Sequence, residues 1–253
     1  MDRDWQQIFE DTYKGAPSSV ERRIWQEAFG DDYPRGLDPY SFVSRTELAR
    51  IADALQLQPG DTLVDVGCGR GGPGLWVTGA TEAALIGVDI SENALVAARA
   101  RATAMGIDAA FRIGSFEATG LDSGAAAGVM SVDALLFAPD KVAAARELRR
   151  TLRPGGRLVL TSWDYHSQPV GRPPQIDDHR PVLEDAGFRV ERYEDTDPGL
   201  ARERHVMDGL LAAVDELAAE EGITADELRP GLEEMAATLD TMIRRFMVVA
   251  TAT

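Results

Sequence analysis

A glycine-rich turn directly after a short apolar stretch constrains the fold of this chain more than any other feature. The segment reads Leu63-Val64-Asp65-Val66-Gly67-Cys68-Gly69-Arg70-Gly71-Gly72. The apolar residues predict a buried strand, and the glycines allow a tight turn and a close approach of the backbone to a ligand. A helix that follows such a turn presents free backbone N–H groups, which suit an anionic or nucleotide-like ligand.

Downstream of this turn, short apolar stretches alternate with helical patterns. Helices are predicted at 92–105 and 141–152, and strands at 62–66, 84–89, 109–113, 128–132, 157–163, 188–193 and 246–252. Alternation of this kind predicts parallel βαβ units. We therefore expect an α/β fold with a Rossmann-like, doubly wound, seven-stranded sheet.

Helical patterns flank the predicted sheet domain. Residues 1–60 predict an N-terminal helical lid, in which Ser44-Arg45-Thr46-Glu47 has the form of a capping box. The aromatic residues of this segment are candidates either for an apolar acceptor site or for packing of the lid itself; they are Trp5, Tyr13, Trp25 and Tyr33. Residues 199–243 predict a helical insertion before the last strand, and we expect this insertion to cap the substrate. The sheet domain would then consist of residues 61–198 and 244–253.

Charge and composition exclude several classes of function. The net charge is −16, from 26 basic and 42 acidic residues, which is a poor electrostatic match for nucleic acid or an anionic membrane. The single cysteine, Cys68, excludes a Cys-rich zinc site and fits a reducing compartment, and the three histidines form no ligand-spaced cluster. We find no run of about 18 apolar residues and no secretory leader, so we expect a cytoplasmic protein without a metal site.

The glycine turn matches two templates. The spacing Gly67-x-Gly69-x-x-Gly72 fits the fingerprint of dinucleotide-binding domains. The pattern Asp65-x-Gly67-x-Gly69-x-Gly71 instead resembles the first motif of class I S-adenosylmethionine-dependent methyltransferases, and the resemblance covers about residues 45–165. It implies S-adenosylmethionine as the cofactor. Asp65 would organise the turn, and the three glycines would let the backbone pass beneath the cofactor.

Three further features favour the methyltransferase over an NAD-binding domain. Leu152-Arg153-Pro154-Gly155-Gly156 looks like a motif that precedes a strand in that family. The last two predicted strands resemble its C-terminal antiparallel pair. The helical segment before the first strand resembles its usual lid.

The resemblance also implies further cofactor contacts. Asp89 ends the second strand, and Ile90 follows it. The Asp89 carboxylate would accept hydrogen bonds from a ribose diol, and it could make the same contacts with the ribose of NAD. The alternative role of Asp89 is to cap the N-terminus of the next helix. The other implied contacts are Ser115 and Phe116 beside the adenine, Ser131 at the end of the fourth strand, and Tyr40 with Ser41 in the loop that closes over the cofactor. Ser115 stands where the family often has an aspartate.

A general base is harder to assign. Many small-molecule members of the family carry a histidine after the fourth strand, where this chain has Leu135-Leu136-Phe137. We select Asp164 and His166 as the catalytic candidates, because they follow the fifth predicted strand on the expected crevice side. Asp133, His179 and His205 are weaker candidates.

The sequence therefore predicts a methyltransferase that acts on an O or N atom of a small, secondary-metabolite-like acceptor. Three alternatives stay open. They are a cyclase or other non-methylating enzyme that binds S-adenosylmethionine, an NAD-dependent oxidoreductase, and a non-catalytic binding module. The sequence does not fix the oligomeric state, and a homodimer is compatible with it.

Overall fold

The centre of the molecule is a seven-stranded sheet. The structure is a computed structural model that describes residues 3–196 and 198–253, so Met1, Asp2 and Asp197 lie outside the described residues. The strand order is β3-β2-β1-β4-β5-β7-β6. The strands are β1 Thr62–Val66, β2 Ala84–Asp89, β3 Ala109–Ile113, β4 Ala126–Val132, β5 Leu152–Tyr165, β6 Phe188–Asp195 and β7 Met242–Ala252. Strands β1 to β5 are parallel, and β7 is antiparallel to both β5 and β6. The predicted α/β, Rossmann-like sheet is confirmed.

Helices cover both faces of this sheet. They are α1 Trp5–Thr12, α2 Ser19–Phe29, α3 Arg45–Leu55, α4 Gly72–Thr81, α5 Glu92–Met105, α6 Lys141–Thr151, α7 Arg180–Asp185, α8 Gly199–Ala212, α9 Val214–Glu221 and α10 Ala225–Leu239. The predicted capping box is present at the start of α3, where the backbone N–H of Ser44 donates to Glu47 and the Ser44 hydroxyl accepts from the Glu47 N–H. None of the helices within residues 3–196 and 198–253 combines the length and apolar character that a membrane crossing requires.

The strands bury side chains on both faces, as expected for a sheet covered on both sides. In β1, Leu63 belongs to the hydrophobic cluster beneath α3 and α4, whereas Val64 and Val66 belong to the cluster beneath α6. Because side chains alternate along a strand, Asp65 lies on the same face as Leu63. The alternation places a carboxylate in the interior, directly before the glycine turn.

The N-terminal helices and the insertion between β6 and β7 pack together. The helical pattern at 199–221 is divided at Ala213 into α8 and α9. A Cβ atom at Gly209 of α8 would lie 2.8 Å from Cγ2 of Ile24 in α2, so the glycine allows the two helices to approach closely. The buried side chains of this cluster include Val20, Ile24, Trp25, Phe29, Val206, Met207 and Leu210.

Strand β5 extends beyond the predicted 157–163 at both ends. At its start, Leu152 pairs with Ala126 and Arg157 pairs with Gly128, so the intervening Pro-Gly-Gly segment forms a bulge. At its end, β5 stays paired with β7 as far as Tyr165. The residues just before Tyr165 are therefore part of the sheet rather than of a loop.

Candidate functional site

A cavity of about 620 Å³ lies at the carboxyl ends of the central strands. Its floor is the loop after β1, and its walls are the ends of β2 and β4 and the segment after β3. Helix α1 and the loop before α3 form its roof. In an open parallel sheet, the crevice at this edge is where ligands bind.

The glycine turn at the floor of this cavity packs too closely against its neighbours to carry side chains at two positions. Gly67 has a φ of 73°, and a Cβ atom there would lie 2.5 Å from the Cβ of Ala134. Gly69 has a φ of 51°, and a Cβ atom there would lie 2.9 Å from the hydroxyl of Tyr13. The N–H groups of Gly67 and Cys68 both donate to the Val88 carbonyl, which fixes the turn to β2. Only glycine meets both the conformational and the spatial requirement here.

Asp65 carries a buried carboxylate at this floor. Its side chain is 1% exposed, and neither carboxylate oxygen makes a hydrogen bond of normal geometry. Burial raises the pKa of Asp65 to about 7, the Asp89 carboxylate adds to the rise, and the backbone N–H of Gly74 opposes it. A buried acceptor without a donor costs free energy in the absence of a partner, so it marks a place where a ligand can supply one.

Asp89 is positioned by the backbone around it. One carboxylate oxygen accepts from the Gly69 N–H at 2.8 Å, and the other accepts from the Ser91 N–H at 3.0 Å. Burial raises the pKa of Asp89, while these N–H groups favour its ionised form. Each oxygen keeps acceptor capacity for the hydroxyls of a ligand.

The other predicted cofactor residues are distributed as follows. The cavity is lined by Ile90, Ser115 and Phe116 on its walls and by Tyr40 and Ser41 in its roof. Gly71 is not in the lining; its φ of 75° starts α4, where a Cβ atom would contact Ala98 at 3.2 Å. Ser131 is also outside the lining, because its side chain is fully buried in β4, one residue before the first lining residue of that strand.

Helix α1 brings aromatic side chains to the cavity. The rings of Trp5 and Phe9 each lie 4.8 Å from the ring of Phe137, centroid to centroid, and all three line the cavity. Glu10 attaches the helix to the start of α5, where its carboxylate accepts from the Ser91 hydroxyl and from two backbone N–H groups. Sequence reasoning had named Trp5 and Tyr13 for an acceptor site. It missed Phe9 and Phe137, although Phe9 has helical spacing with both Trp5 and Tyr13.

The aromatic residues of the second helix have another role. Sequence reasoning had also considered Trp25 and Tyr33 for the acceptor site, but both are buried in the cluster with α8 to α10. The indole N–H of Trp25 donates to the Ser41 carbonyl at 2.9 Å, so it supports the roof loop from outside.

Arg70 links the roof to the glycine turn. Its guanidinium lies 5.3 Å from the Tyr13 ring centroid and 5.2 Å from that of Tyr40. It donates to the carbonyl of Gly15 and lies 3.8 Å from the Asp38 carboxylate. A cation held between two rings and a carboxylate stabilises the closed arrangement of α1 and the roof loop.

Asp164 does not lie on the crevice side as predicted. It is fully buried on β5, and its carboxylate accepts from the Tyr193 hydroxyl at 2.7 Å, from His179 Nδ1 at 2.9 Å and from Arg244 Nε at 2.7 Å. The reason is the continued pairing of β5 with β7, which keeps Asp164 within the sheet. Its three partners occupy the carboxylate away from the cavity.

His166 is also outside the cavity. Its backbone N–H donates to the Thr241 carbonyl, and its ring lies 2.9 Å from the Asp240 carbonyl. Of the weaker candidates, His179 is buried against Asp164, His205 is exposed on α8, and only Asp133 lines the cavity. Among the described residues, no histidine lines the cavity and no group of three His, Cys, Asp or Glu side chains could hold a metal ion.

Asp133 is held by several partners at once. Its carboxylate accepts from the Phe42 N–H at 2.7 Å, from the Thr161 hydroxyl at 2.7 Å and from two nitrogens of Arg245 at 3.0 and 3.1 Å. Its φ of 55° is in the left-handed region. The residue therefore connects the end of β4 to the roof loop, and its lone pairs are committed to these contacts.

Comparison with protein families gives a match in the central part of the chain. Residues 63–156 match a family described as a methyltransferase domain. Methyltransferase GfsG of Streptomyces halstedii is 29% identical over 129 residues, which are 50% of this chain and 46% of that protein. The chain spans less than half of the length of the first curated relatives that it matches.

Solved structures match almost the whole fold. The 4+2 cyclase SpnF has a TM-score of 0.71 and 21% identity, covering 100% of this chain and 97% of that one. Geranyl diphosphate C-methyltransferase from Streptomyces coelicolor A3(2), in complex with S-adenosyl-L-homocysteine, has a TM-score of 0.69 and 16% identity, covering 99% of both chains. At these identities the likeness concerns the fold.

Proposed function

We infer that the chain is a class I S-adenosylmethionine-dependent methyltransferase, because residues 63–156 match a methyltransferase-domain family and the fold resembles that of a solved methyltransferase. From this premise we propose that the protein binds S-adenosylmethionine and transfers its methyl group to a small acceptor. The observation that carries the proposal is the buried carboxylate of Asp65, which makes no hydrogen bond of normal geometry and lies beside the glycine turn at the floor of the cavity.

The residues of the cavity fit the cofactor. Asp65 offers an acceptor for the ammonium end, and Asp89 offers acceptors for the ribose diol. Ser115 and Phe116 contact the adenine end, and the roof loop with Tyr40 covers the whole. S-adenosylmethionine, when bound, supplies an electrophilic methyl group for in-line displacement.

Alignment is the main contribution of the protein to the transfer. No histidine among the described residues lines the cavity, and the oxygens of Asp133 are already hydrogen-bonded, so neither a histidine nor Asp133 is available as a general base. Holding an acceptor in line with a methyl group can contribute about 7–11 kcal/mol at best. The aromatic end of the cavity, at Trp5, Phe9 and Phe137, holds the apolar part of the acceptor and excludes water.

The acceptor is a small molecule of secondary-metabolite type, methylated on an O or N atom. The size of the cavity supports a small acceptor, and the net charge of −16 disfavours nucleic acid and anionic membranes as partners. Cys68 is the single cysteine, is buried and is free, which fits the reducing cytoplasm.

Isothermal titration with S-adenosylmethionine tests the cofactor, with NAD in parallel. We expect micromolar binding of S-adenosylmethionine alone, and binding at least tenfold weaker in Asp89→Asn. Asp108→Asn, an exposed residue before β3, is the matched control and should bind as the wild type does. Binding of NAD alone would refute the proposal.

Turnover is then followed as S-adenosylhomocysteine released from a panel of phenols and amines. His166→Ala should retain the rate, because His166 lies outside the cavity. A second candidate is a non-methylating enzyme that uses the same cofactor site, favoured by the lack of a cavity histidine among the described residues. That enzyme would consume its substrate without releasing S-adenosylhomocysteine.

A further inference from the structure

One arginine beside the cavity has no anionic partner in the described structure. Seven arginines place their guanidinium over an aromatic ring. Six of them also pair with a carboxylate, namely Arg3, Arg70, Arg180, Arg202, Arg244 and Arg245. The seventh, Arg172, is found with neither a hydrogen bond nor an ion pair at its guanidinium within residues 3–196 and 198–253.

Arg172 packs on two rings that line the cavity. Its guanidinium carbon lies 5.2 Å from the ring centroid of Trp5 and 5.1 Å from that of Phe137. Ring packing occupies the faces of a guanidinium and leaves the N–H groups at its edge available. Arg172 is not itself in the cavity lining, but it packs on two rings that are, and no hydrogen bond to the described residues fills its donors.

Arg172 and the charged groups that act on it carry a net positive charge. Arg172 is half-buried, and burial lowers its pKa. The ionisable groups that act on it are Tyr165, Arg3 and Glu234. Glu234 is already paired with Arg3 at 2.7 Å, so two guanidinium groups share one carboxylate. The chain has a net charge of −16, yet no carboxylate of the described residues pairs with this half-buried guanidinium. Because a buried charge needs a partner of opposite sign, we expect a ligand to supply the anionic group.

We propose that the acceptor is an amphipathic anion, whose carboxylate or phosphate group binds the guanidinium of Arg172 while its apolar part lies against Trp5, Phe9 and Phe137. The planar guanidinium matches the geometry of both anions, and packing on two rings holds it in one orientation. This inference rests on the proposed function only in assigning the aromatic end of the cavity to the acceptor.

Three eight-carbon probes test the inference by isothermal titration at low ionic strength. They are octanoate, octyl phosphate and the uncharged octanol, each titrated with and without S-adenosylmethionine. We expect the preferred anion to bind at least tenfold more tightly than octanol, which is about 1.4 kcal/mol. We also expect the preference to fall when salt is added. The comparison of the two anions distinguishes a carboxylate site from a phosphate site.

Variants of Arg172 decide whether this residue is responsible. In Arg172→Gln the preference for an anion should fall to less than twofold, and in Arg172→Lys it should be partly retained. Arg146→Gln removes an exposed arginine from α6 and should leave the preference unchanged. Circular dichroism checks that each variant is folded.

Two results would overturn the inference. One is that neither anion binds more tightly than octanol, and the other is that folded Arg172→Gln keeps the preference. A protein that fails to bind S-adenosylmethionine but shows the Arg172-dependent preference would refute the proposed function and leave the anion site standing.

Discussion

The carboxylate of Asp133 is expected to hold the roof loop, β4 and β7 together. Its partner Arg245 is 2% exposed and also donates to Glu47 at 2.6 Å. Burial alone would lower the pKa of Arg245, but the Asp133 and Glu47 carboxylates raise it above its usual value. Removing one partner of a buried ion pair costs about 3–5 kcal/mol. In Asp133→Asn we expect the lower end, about 3 kcal/mol, because Glu47 remains to neutralise the arginine.

Thermal unfolding measures this loss. For a chain of this size, 1 kcal/mol corresponds to about 2–4 °C in Tm, so Asp133→Asn should unfold about 6–12 °C below the wild type. The same variant should bind S-adenosylmethionine more weakly, since the Phe42 N–H no longer donates to a charged group. Asp108→Asn serves again as the exposed control. A change in Tm below about 2 °C in Asp133→Asn would refute the reasoning, because the buried cation would then not depend on that carboxylate.

Three other substitutions have defined outcomes. Gly67→Ala should abolish titratable binding of S-adenosylmethionine, because the new Cβ atom would lie 2.5 Å from the Cβ atom of Ala134. In the control Gly231→Ala the new Cβ atom has no neighbour within 4 Å, so this variant should bind S-adenosylmethionine as the wild type does. Burial raises the pKa of Glu203 from 4.5 to about 8. Between pH 4.5 and pH 8 the folded state therefore binds more protons than the unfolded state, and the free energy of unfolding falls as the pH rises. Glu203→Gln should therefore raise the Tm at pH 8 and leave it nearly unchanged at pH 5, as thermal melts at the two values will show. Glu10→Ala should speed hydrogen exchange across α1, because three donors at the start of α5 lose the acceptor that attaches α1 to them. Glu27→Ala on α2 is the control and should leave the exchange of α1 unchanged. Equal exchange rates of α1 in the two variants would contradict the attachment.

The floor of the cavity could be predicted because its signals are local. The strand, the glycine turn and the following helix are adjacent in sequence, and the conformations of Gly67 and Gly69 follow from their residue type. Asp65 and Asp89 each end or nearly end a strand, so the topology of a parallel sheet brings them to the same edge. The bounds of β1, β2 and β3 were predicted correctly for the same reason.

The position of Asp164 could not be predicted because it depends on a distant strand. An apolar run shows where a strand is buried, but the end of the strand depends on how far the adjacent strand continues to pair with it. Strand β7 begins at Met242 and pairs with Tyr165, which carries β5 past the apolar residues. Asp164 was therefore taken for a loop residue on the crevice side, whereas it is an internal residue of the sheet with three partners.

The aromatic end of the cavity and the arginine that packs against it come from segments that no local pattern connects. Trp5 and Phe9 come from α1, Phe137 from the turn after β4 and Arg172 from the loop between β5 and α7. Of these four residues, only Phe137 lies within the methyltransferase domain at residues 63–156. The part of the chain that matches the methyltransferase-domain family thus builds the floor of the cavity, and the parts outside it build most of the surface that we propose for the acceptor. Resemblance in the central domain therefore carries information about the cofactor, whereas acceptor specificity has to be measured on this chain, at Arg172 and the rings beneath it.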